Sequence, residues 1–322
     1  MTGRTRVEDL PKAELHVHLE GTLEADHLLE LARRHDVALP WRSVEEVRAA
    51  YAFTDLQSFL DVFFVGCRVL RERQDFADLA HRYLLRAAAD GVVRAEVFFG
   101  VQTFLALGVP LADQLEGIFD GFDRARAETG IDAALITSAQ RHRTEDDALA
   151  MVDALMPWAD RIVGFGLGST ELGNPPSKFA RYFATVRDRG FHATAHAGEE
   201  GGPDYVREAL DVGVERIDHG VRSAEDPDLV ALLARERVPL TVCPLSNQRL
   251  HVTPDLTAHP LRTLLDAGVL VTVNSDDPSY FGGYVADNYR AVRDALDLTD
   301  EELERLARTS LSATWAGPPA TS

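Results

Sequence analysis

Eight short apolar or β-branched runs, separated by stretches of helical periodicity, predict an α/β fold whose parallel sheet closes as a (β/α)8 TIM barrel. Two further observations favour one closed unit. A chain of 322 residues is the size at which a single barrel is commonly the whole domain, and 45% hydrophobic residues are ample for its core. No internal repeat, low-complexity block or linker divides the sequence. Residues 1–322 therefore read as one domain, with the last stretch, AGPPATS at 316–322, expected to fray.

The first strand is centred on Glu14-Leu-His-Val-His-Leu-Glu-Gly21. One residue separates His16 from His18, and a strand alternates its side chains, so both imidazoles share a face. Such a pair can grip one metal ion and leave room for further ligands; the alternative at this point is two surface histidines on an edge strand. A helical pattern follows over 22–35, with Leu23, Leu28, Leu29 and Leu31 apolar, and Pro40 stops it. Residues 41–75 read as shorter helices that set Phe59, Phe63 and Phe64 over or under the core. Phe76, Leu79, Ala80, Tyr83, Leu84, Ala87 and Ala88 then repeat at helical spacing up to Gly91. Extra helices are thus inserted after the first strand, where insertions often cover a site.

From there the rhythm is regular. Strands are expected at Val92–Phe99, Ile131–Ser138, Arg161–Leu167, Phe191–Ala197, Glu215–His219, Pro239–Cys243 and Val269–Asn274. Helical patterns lie between them, among them Leu229–Arg235 after Asp226-Pro227, and Leu261, Leu264 and Leu265 before Gly268. A last helix starts at Thr299, which forms a capping box with Glu302.

Composition excludes several classes of function. With 33 basic and 52 acidic side chains the formal charge is −19, the wrong sign for displacing counterions from nucleic acid or for an anionic membrane surface. No apolar run approaches the ~20 residues needed to span a bilayer. The N-terminal stretch lacks the apolar segment of a signal peptide. Cys67 and Cys243 are distant in sequence and form no CxxC, so reduced thiols in a cytoplasmic protein are expected.

The chemistry gathers at strand ends, where barrels of this class carry their reactive groups. The first strand brings His16 and His18, the fifth ends in His196-Ala-Gly-Glu199, the sixth in Asp218-His219-Gly220, and the eighth in Asn274-Ser-Asp276-Asp277-Pro278. Four strands delivering such groups to one rim have no structural rationale, because burying them unpaired is costly. His16, His18, His196 and Asp276 form a set of protein ligands for zinc, with a water completing the shell. No lysine ends the fourth strand to bridge two ions, which favours a single metal. Seven further histidines (27, 35, 81, 142, 192, 251 and 259) read mostly as surface or packing residues. A metal brings water's pKa toward ~7. His219 is then placed to orient that water or take its proton, with Asp276 assisting. Glu199, three residues past His196, is placed to donate a proton, and Asp277 to meet a substrate nitrogen. Asp218 reads as a turn former, and Glu200 likewise as structural.

Together LPKAELHVHLEGTL, AHAGEEGGP, RIDHG, PLTVCPLSN and VTVNSDDPSYFGGY resemble, in order and over nearly the whole chain, the signatures of the adenosine and adenine deaminase family of metal-dependent hydrolases. The resemblance implies a (β/α)8 barrel, one zinc, and hydrolytic release of a purine 6-amino group as ammonia. It implies His16, His18, His196 and Asp276 as zinc ligands and Glu199 as proton donor to N1. His219 then handles the attacking water, and Asp277 is the hydrogen-bond partner of the purine ring. LEGTL, LQSFLD, Ser169-Thr170-Glu171 with the following LGNPPSKF, and DPSYFGGY are similar to the adenine branch, which acts on the free base. Adenosine-specific members commonly carry Asp where this chain has Glu20. Glu20 and the Ser169-Thr170-Glu171 turn are accordingly expected to fill the space a ribose needs, with Glu171 accepting the N9 proton.

The chain departs from that branch at Phe104 and Asn174, where histidines are usual, and at Gly168, where an aspartate is usual. These departures fit neutral drift, or an altered substrate such as adenosine, an N6-substituted adenine or a modified nucleoside like aminodeoxyfutalosine. The expected partner is a small purine base or nucleoside; whether the chain is a monomer or a homo-oligomer is open. Phosphoester cleavage on a similar barrel and an inactive purine-binding protein are the rival readings. The PCxxC zinc motif of polynucleotide deaminases is absent.

Overall fold

The computed structural model describes residues 5–315, so the expectation for the 316–322 tail lies outside it. All eight expected strands form: β1 Lys12–His18, β2 Val92–Phe99, β3 Asp132–Gln140, β4 Ile162–Gly168, β5 His192–Ala197, β6 Arg216–His219, β7 Pro239–Val242 and β8 Leu270–Val273. They pair in parallel in sequence order, β1 to β8. The nearly unbroken burial of β1 and β4 is what a parallel sheet covered on both faces requires. The seam between β8 and β1 is closed by residues just past β8. Val17 bridges to Asp276; the His18 N–H donates to the Asp276 carbonyl at 2.8 Å, and the Asp276 N–H to that of His16 at 3.0 Å.

Between β1 and β2 the insertion resolves into α1 Ala25–Arg34, α2 Val44–Ala49, α3 Leu56–Cys67 and α4 Arg73–Ala89. Their starts follow local chemistry. Ser43 accepts from the Glu46 N–H, and Asp55 and Ser58 cap each other reciprocally. The same device starts the final helix, Asp300–Ser312, through Thr299 and Glu302. Helix α3 carries Phe59 and Phe63 across the C-terminal mouth, against Tyr280 and Phe281.

The opposite end of the barrel is plugged by paired charges. Arg216 Nη1 donates to Glu96 Oε2 at 2.7 Å, and its guanidinium lies 3.8 Å from the Trp315 ring centre. The Trp315 N–H donates to Glu96 Oε1 at 2.7 Å. Lys12 Nζ donates to the carbonyls of Val7 at 2.8 Å and Asp90 at 2.6 Å.

Candidate active site

The two histidines of β1 face inward, as their spacing requires, and meet His196 from β5 and Asp276 beyond β8. Nε2 of His196 lies 3.1 Å from Nε2 of both His16 and His18, and each of those lies 3.4 Å from Asp276 Oδ1. Bonds of ~2.0–2.1 Å in a tetrahedral shell set neighbouring ligand atoms about 3.3 Å apart, so the spacing fits one divalent cation. The outer ring nitrogens agree. His16 Nδ1 faces the Thr241 carbonyl at 3.2 Å, and His196 Nδ1 faces Asp218 Oδ2 at 3.3 Å. The acceptor bonded to His16 and the carboxylate close behind His196 favour the hydrogen on Nδ1, with the Nε2 lone pair turned inward. Burial lowers the His18 imidazole to about 3, keeping it neutral. The Phe98 ring packs against all three imidazoles, with centroids 5.2–5.6 Å apart.

Beyond this cluster opens a cavity of about 650 Å³, counting its mouth. Its polar wall holds His18, Glu20, Glu199, His219, Asp276 and Asp277; α3 supplies the apolar wall through Leu56, Phe59, Leu60, Phe63 and Phe64. Three carboxyl oxygens on the polar residues are buried without a partner: Glu199 Oε1, Asp277 Oδ1 and Glu20 Oε2. Unpaired buried acceptors are expensive unless a ligand meets them. Burial, reinforced by Asp276 and Glu171, pushes the Glu199 carboxyl well above its ordinary range, which favours its protonated form. Burial and Asp276 do the same to Asp277. Burial brings Glu20 up to about 7, although its Oε1 accepts from the Gly100 N–H at 2.8 Å. His219 Nε2 lies 3.5 Å from Glu199 Oε2 and 3.8 Å from Asp276 Oδ2.

Backbone geometry aims these groups. Ser169, His219 and Asp276, at the ends of β4, β6 and β8, have φ of 79°, 63° and 64°. Left-handed residues other than glycine are uncommon and cluster at functional sites. Gly21 has to be glycine, since a Cβ there would stand 2.0 Å from Asp277 Oδ1.

One expected substrate residue is corrected. Glu171 faces away from the cavity, and its carboxylate accepts the backbone N–H groups of Gly198 at 2.7 Å, Glu199 at 3.2 Å, Glu200 at 2.6 Å and Gly201 at 2.9 Å. Both oxygens are engaged in holding the turn that carries Glu199, and Glu171 is not among the residues that line the cavity. Ser169 does line the cavity, and its Oγ lies 2.9 Å from His142 Nδ1. Of the three departures only Gly168 reaches the cavity. Phe104 is core, stacked on Phe99 with centroids 5.1 Å apart, and Asn174 offers its carbonyl to Arg141 at 2.8 Å.

Sequence reasoning missed four supporting residues. Asp218 is not a turn former but a fully buried carboxylate behind His196, accepting from Thr194 Oγ1 at 2.8 Å and Thr241 Oγ1 at 3.1 Å. Arg141 donates to the His196 carbonyl at 2.7 Å. Asn247 and His259 lie buried behind His219, although His259 read as a surface or packing residue. The signal for Asp218 was its place one residue before His219, but its register opposite His196 appears only once β5 and β6 pair.

Comparison with known proteins identifies the family and agrees with the fold. The family model described as adenosine deaminase matches residues 11–320. An adenine deaminase of Cupriavidus metallidurans is 54% identical over 311 residues, covering 96% of this chain and 88% of that protein. Among solved structures, the adenine deaminase of Arthrobacter aurescens superposes with a TM-score of 0.94 at 45% identity, over 96% of this chain and 94% of the other. An amidohydrolase of Burkholderia ambifaria, solved with bound zinc, gives 0.89 at 29% identity, over 96% and 87%.

Proposed function

The chain belongs to the adenosine deaminase family, and from that premise we propose that it hydrolyses adenine to hypoxanthine and ammonia with one zinc ion per chain. The observation that carries this reading is a single cavity with a metal-ligand cluster on one wall and three unpartnered carboxyl oxygens beside it. Those are the groups a flat, nitrogen-rich ring needs. The relatives named adenine deaminase, at about half identity over nearly the whole chain, support adenine as the substrate.

His16, His18, His196 and Asp276 hold the metal in this reading, and the zinc-bound Burkholderia relative supports its identity. When bound, zinc lowers the pKa of water toward ~7 and so supplies a nucleophile at neutral pH. Glu199, protonated by its surroundings, gives its proton to N1 and draws electron density from C6. His219 and Asp276 Oδ2 face the attacking water and deal with the proton it sheds. The C6–O bond forms, the C6–N bond breaks, and the amine leaves as ammonia carrying one hydrogen of water. The other passes from the new hydroxyl to Glu199 and replaces the proton that Glu199 gave to N1. Asp277 meets a second ring nitrogen. With Glu171 spent on the backbone, we assign the imidazole N–H of the free base to Glu20. The aromatic wall of α3 covers the ring and excludes water.

No lysine or arginine lines the cavity among the described residues, which disfavours a phosphoester substrate. The two buried, unbridged cysteines suit a reducing cytoplasm. Ammonia release from the zinc-loaded protein tests the reading, with adenine, adenosine, N6-methyladenine, N6-isopentenyladenine and aminodeoxyfutalosine as alternatives. Adenine is expected to be preferred. Deamination of adenosine at equal efficiency would remove Glu20 from its role.

A further inference from the structure

Three histidines on this rim look alike in sequence, but the groups behind them differ. His16 and His196 are backed by acceptors, a carbonyl and a carboxylate, as described above. His219 Nδ1 is backed by Asn247 Nδ2 at 3.4 Å. The orientation of a buried amide is settled by its network, and here the network ends on a group that cannot be reversed. The backbone N–H of Leu261 donates to His259 Nδ1 at 3.1 Å. His259 is 2% exposed, and burial lowers its imidazole to about 4, so the ring is neutral. A neutral ring whose Nδ1 accepts carries its hydrogen on Nε2. That Nε2 lies 3.2 Å from Asn247 Oδ1, which therefore accepts, leaving the amide nitrogen to donate to His219.

We infer that Asn247 and His259 are positioning residues that place the hydrogen of His219 on Nε2, facing Glu199 and Asp276, opposite to the tautomer favoured at His16 and His196. His219 then presents an N–H to the attacking oxygen of the reaction proposed above, orienting a lone pair toward C6, which leaves Asp276 Oδ2 to take the water's proton. The same tautomer accounts for a second group. His219, Cys243 and Asp276 also lie within ligand distance of one another, but a ring offering N–H cannot bind a metal there. An aspartate at position 247 would instead accept from His219 and draw its hydrogen to Nδ1.

The mechanistic consequence rests on the proposed deaminase reaction, but the tautomer itself does not, and the test reads them separately. Long-range 1H–15N correlation on protein labelled at histidine nitrogens distinguishes the two ring nitrogens, with the His219 signals assigned by their loss in His219→Ala. In the parent, zinc-loaded, His219 is expected to show a protonated Nε2 and a bare Nδ1, with His16 and His196 the reverse. In Asn247→Asp the His219 Nδ1 becomes protonated, and kcat for adenine falls roughly 10- to 100-fold with KM little changed, the range seen for partners one shell out. His259→Leu is expected to lower kcat in the same way, and His259→Gln, which keeps an N–H toward Asn247, to restore most of it. A parent His219 with its hydrogen on Nδ1 overturns the inference even if every variant misfolds. So does an Asn247→Asp protein that keeps both tautomer and kcat. A protein inactive on adenine but showing the expected tautomers would count against the proposed substrate alone.

Discussion

The two ends of this barrel bury carboxyl groups in opposite ways. At the N-terminal end both oxygens of Glu96 are taken, one by Arg216 and one by the Trp315 N–H, and Lys12 is met by two carbonyls. At the C-terminal end Glu199, Asp277 and Glu20 each keep one oxygen unmet, and carboxyl groups crowd together instead of pairing with cations. A fold gains nothing from the second arrangement, since repulsion and desolvation both work against it. The difference separates the residues that hold the barrel from those that wait for a ligand.

Substitutions at the two ends should therefore fail in different assays. The largest effect is expected at the open end. Glu199→Gln should lower kcat by about 10²–10⁴-fold while metal content and melting temperature stay close to the parent, whereas His196→Ala should lose the metal as well. A Glu199→Gln protein with near-parent turnover would end the proton-donor assignment. At the paired end Glu96→Gln should leave kcat unchanged but cost about 3–5 kcal/mol in denaturant unfolding, because Arg216 stays buried without its partner. A kinetic defect without loss of stability there would break the comparison.

Glu171 sharpens it, since its carboxylate is fully paired although it stands at the open end. Glu171→Gln should lower kcat by roughly 10²-fold with KM barely altered, by letting the Glu199 turn shift. Glu171→Asp should recover part of the loss. The smallest effect concerns Lys12, which burial lowers from 10.5 to about 8. A base depressed in the folded state contributes stability above its unfolded pKa and loses it as pH falls through the folded one. Stability measured by urea unfolding should decline from pH 10.5 toward pH 8 through this group, and Lys12→Met should flatten that segment of the profile. An unchanged slope would mean that Lys12 is solvated.

What could be read in the sequence was whatever a local period controls. Alternation put His16 and His18 on one face, strand-end placement brought His196, Glu199, His219 and Asp276 to one rim, and the capping box marked the last helix. What could not be read depends on how separate loops lean on one another. Glu171 was expected in the pocket because the Ser169-Thr170-Glu171 turn resembles that of the adenine branch, yet the loop after β4 turns it onto the backbone after β5. Asp218 took its role from cross-strand register, and His259 from a helix start twelve residues beyond Asn247. Phe104 stood out as a departure but fills core, because which face of a short helix meets the cavity is a tertiary fact.

The seam between β8 and β1 bears on how the enzyme comes into being. Two of the proposed metal ligands, His16 and His18, lie on β1, and Asp276, a third member of that proposed set, also stitches the barrel shut through its own backbone. Bringing such distant segments together carries the loop-closure cost of nearly the whole polypeptide. The ligand set therefore comes into existence only when the last strand has docked on the first. An ion held by the completed set would then stabilise the closed ring over its open precursors.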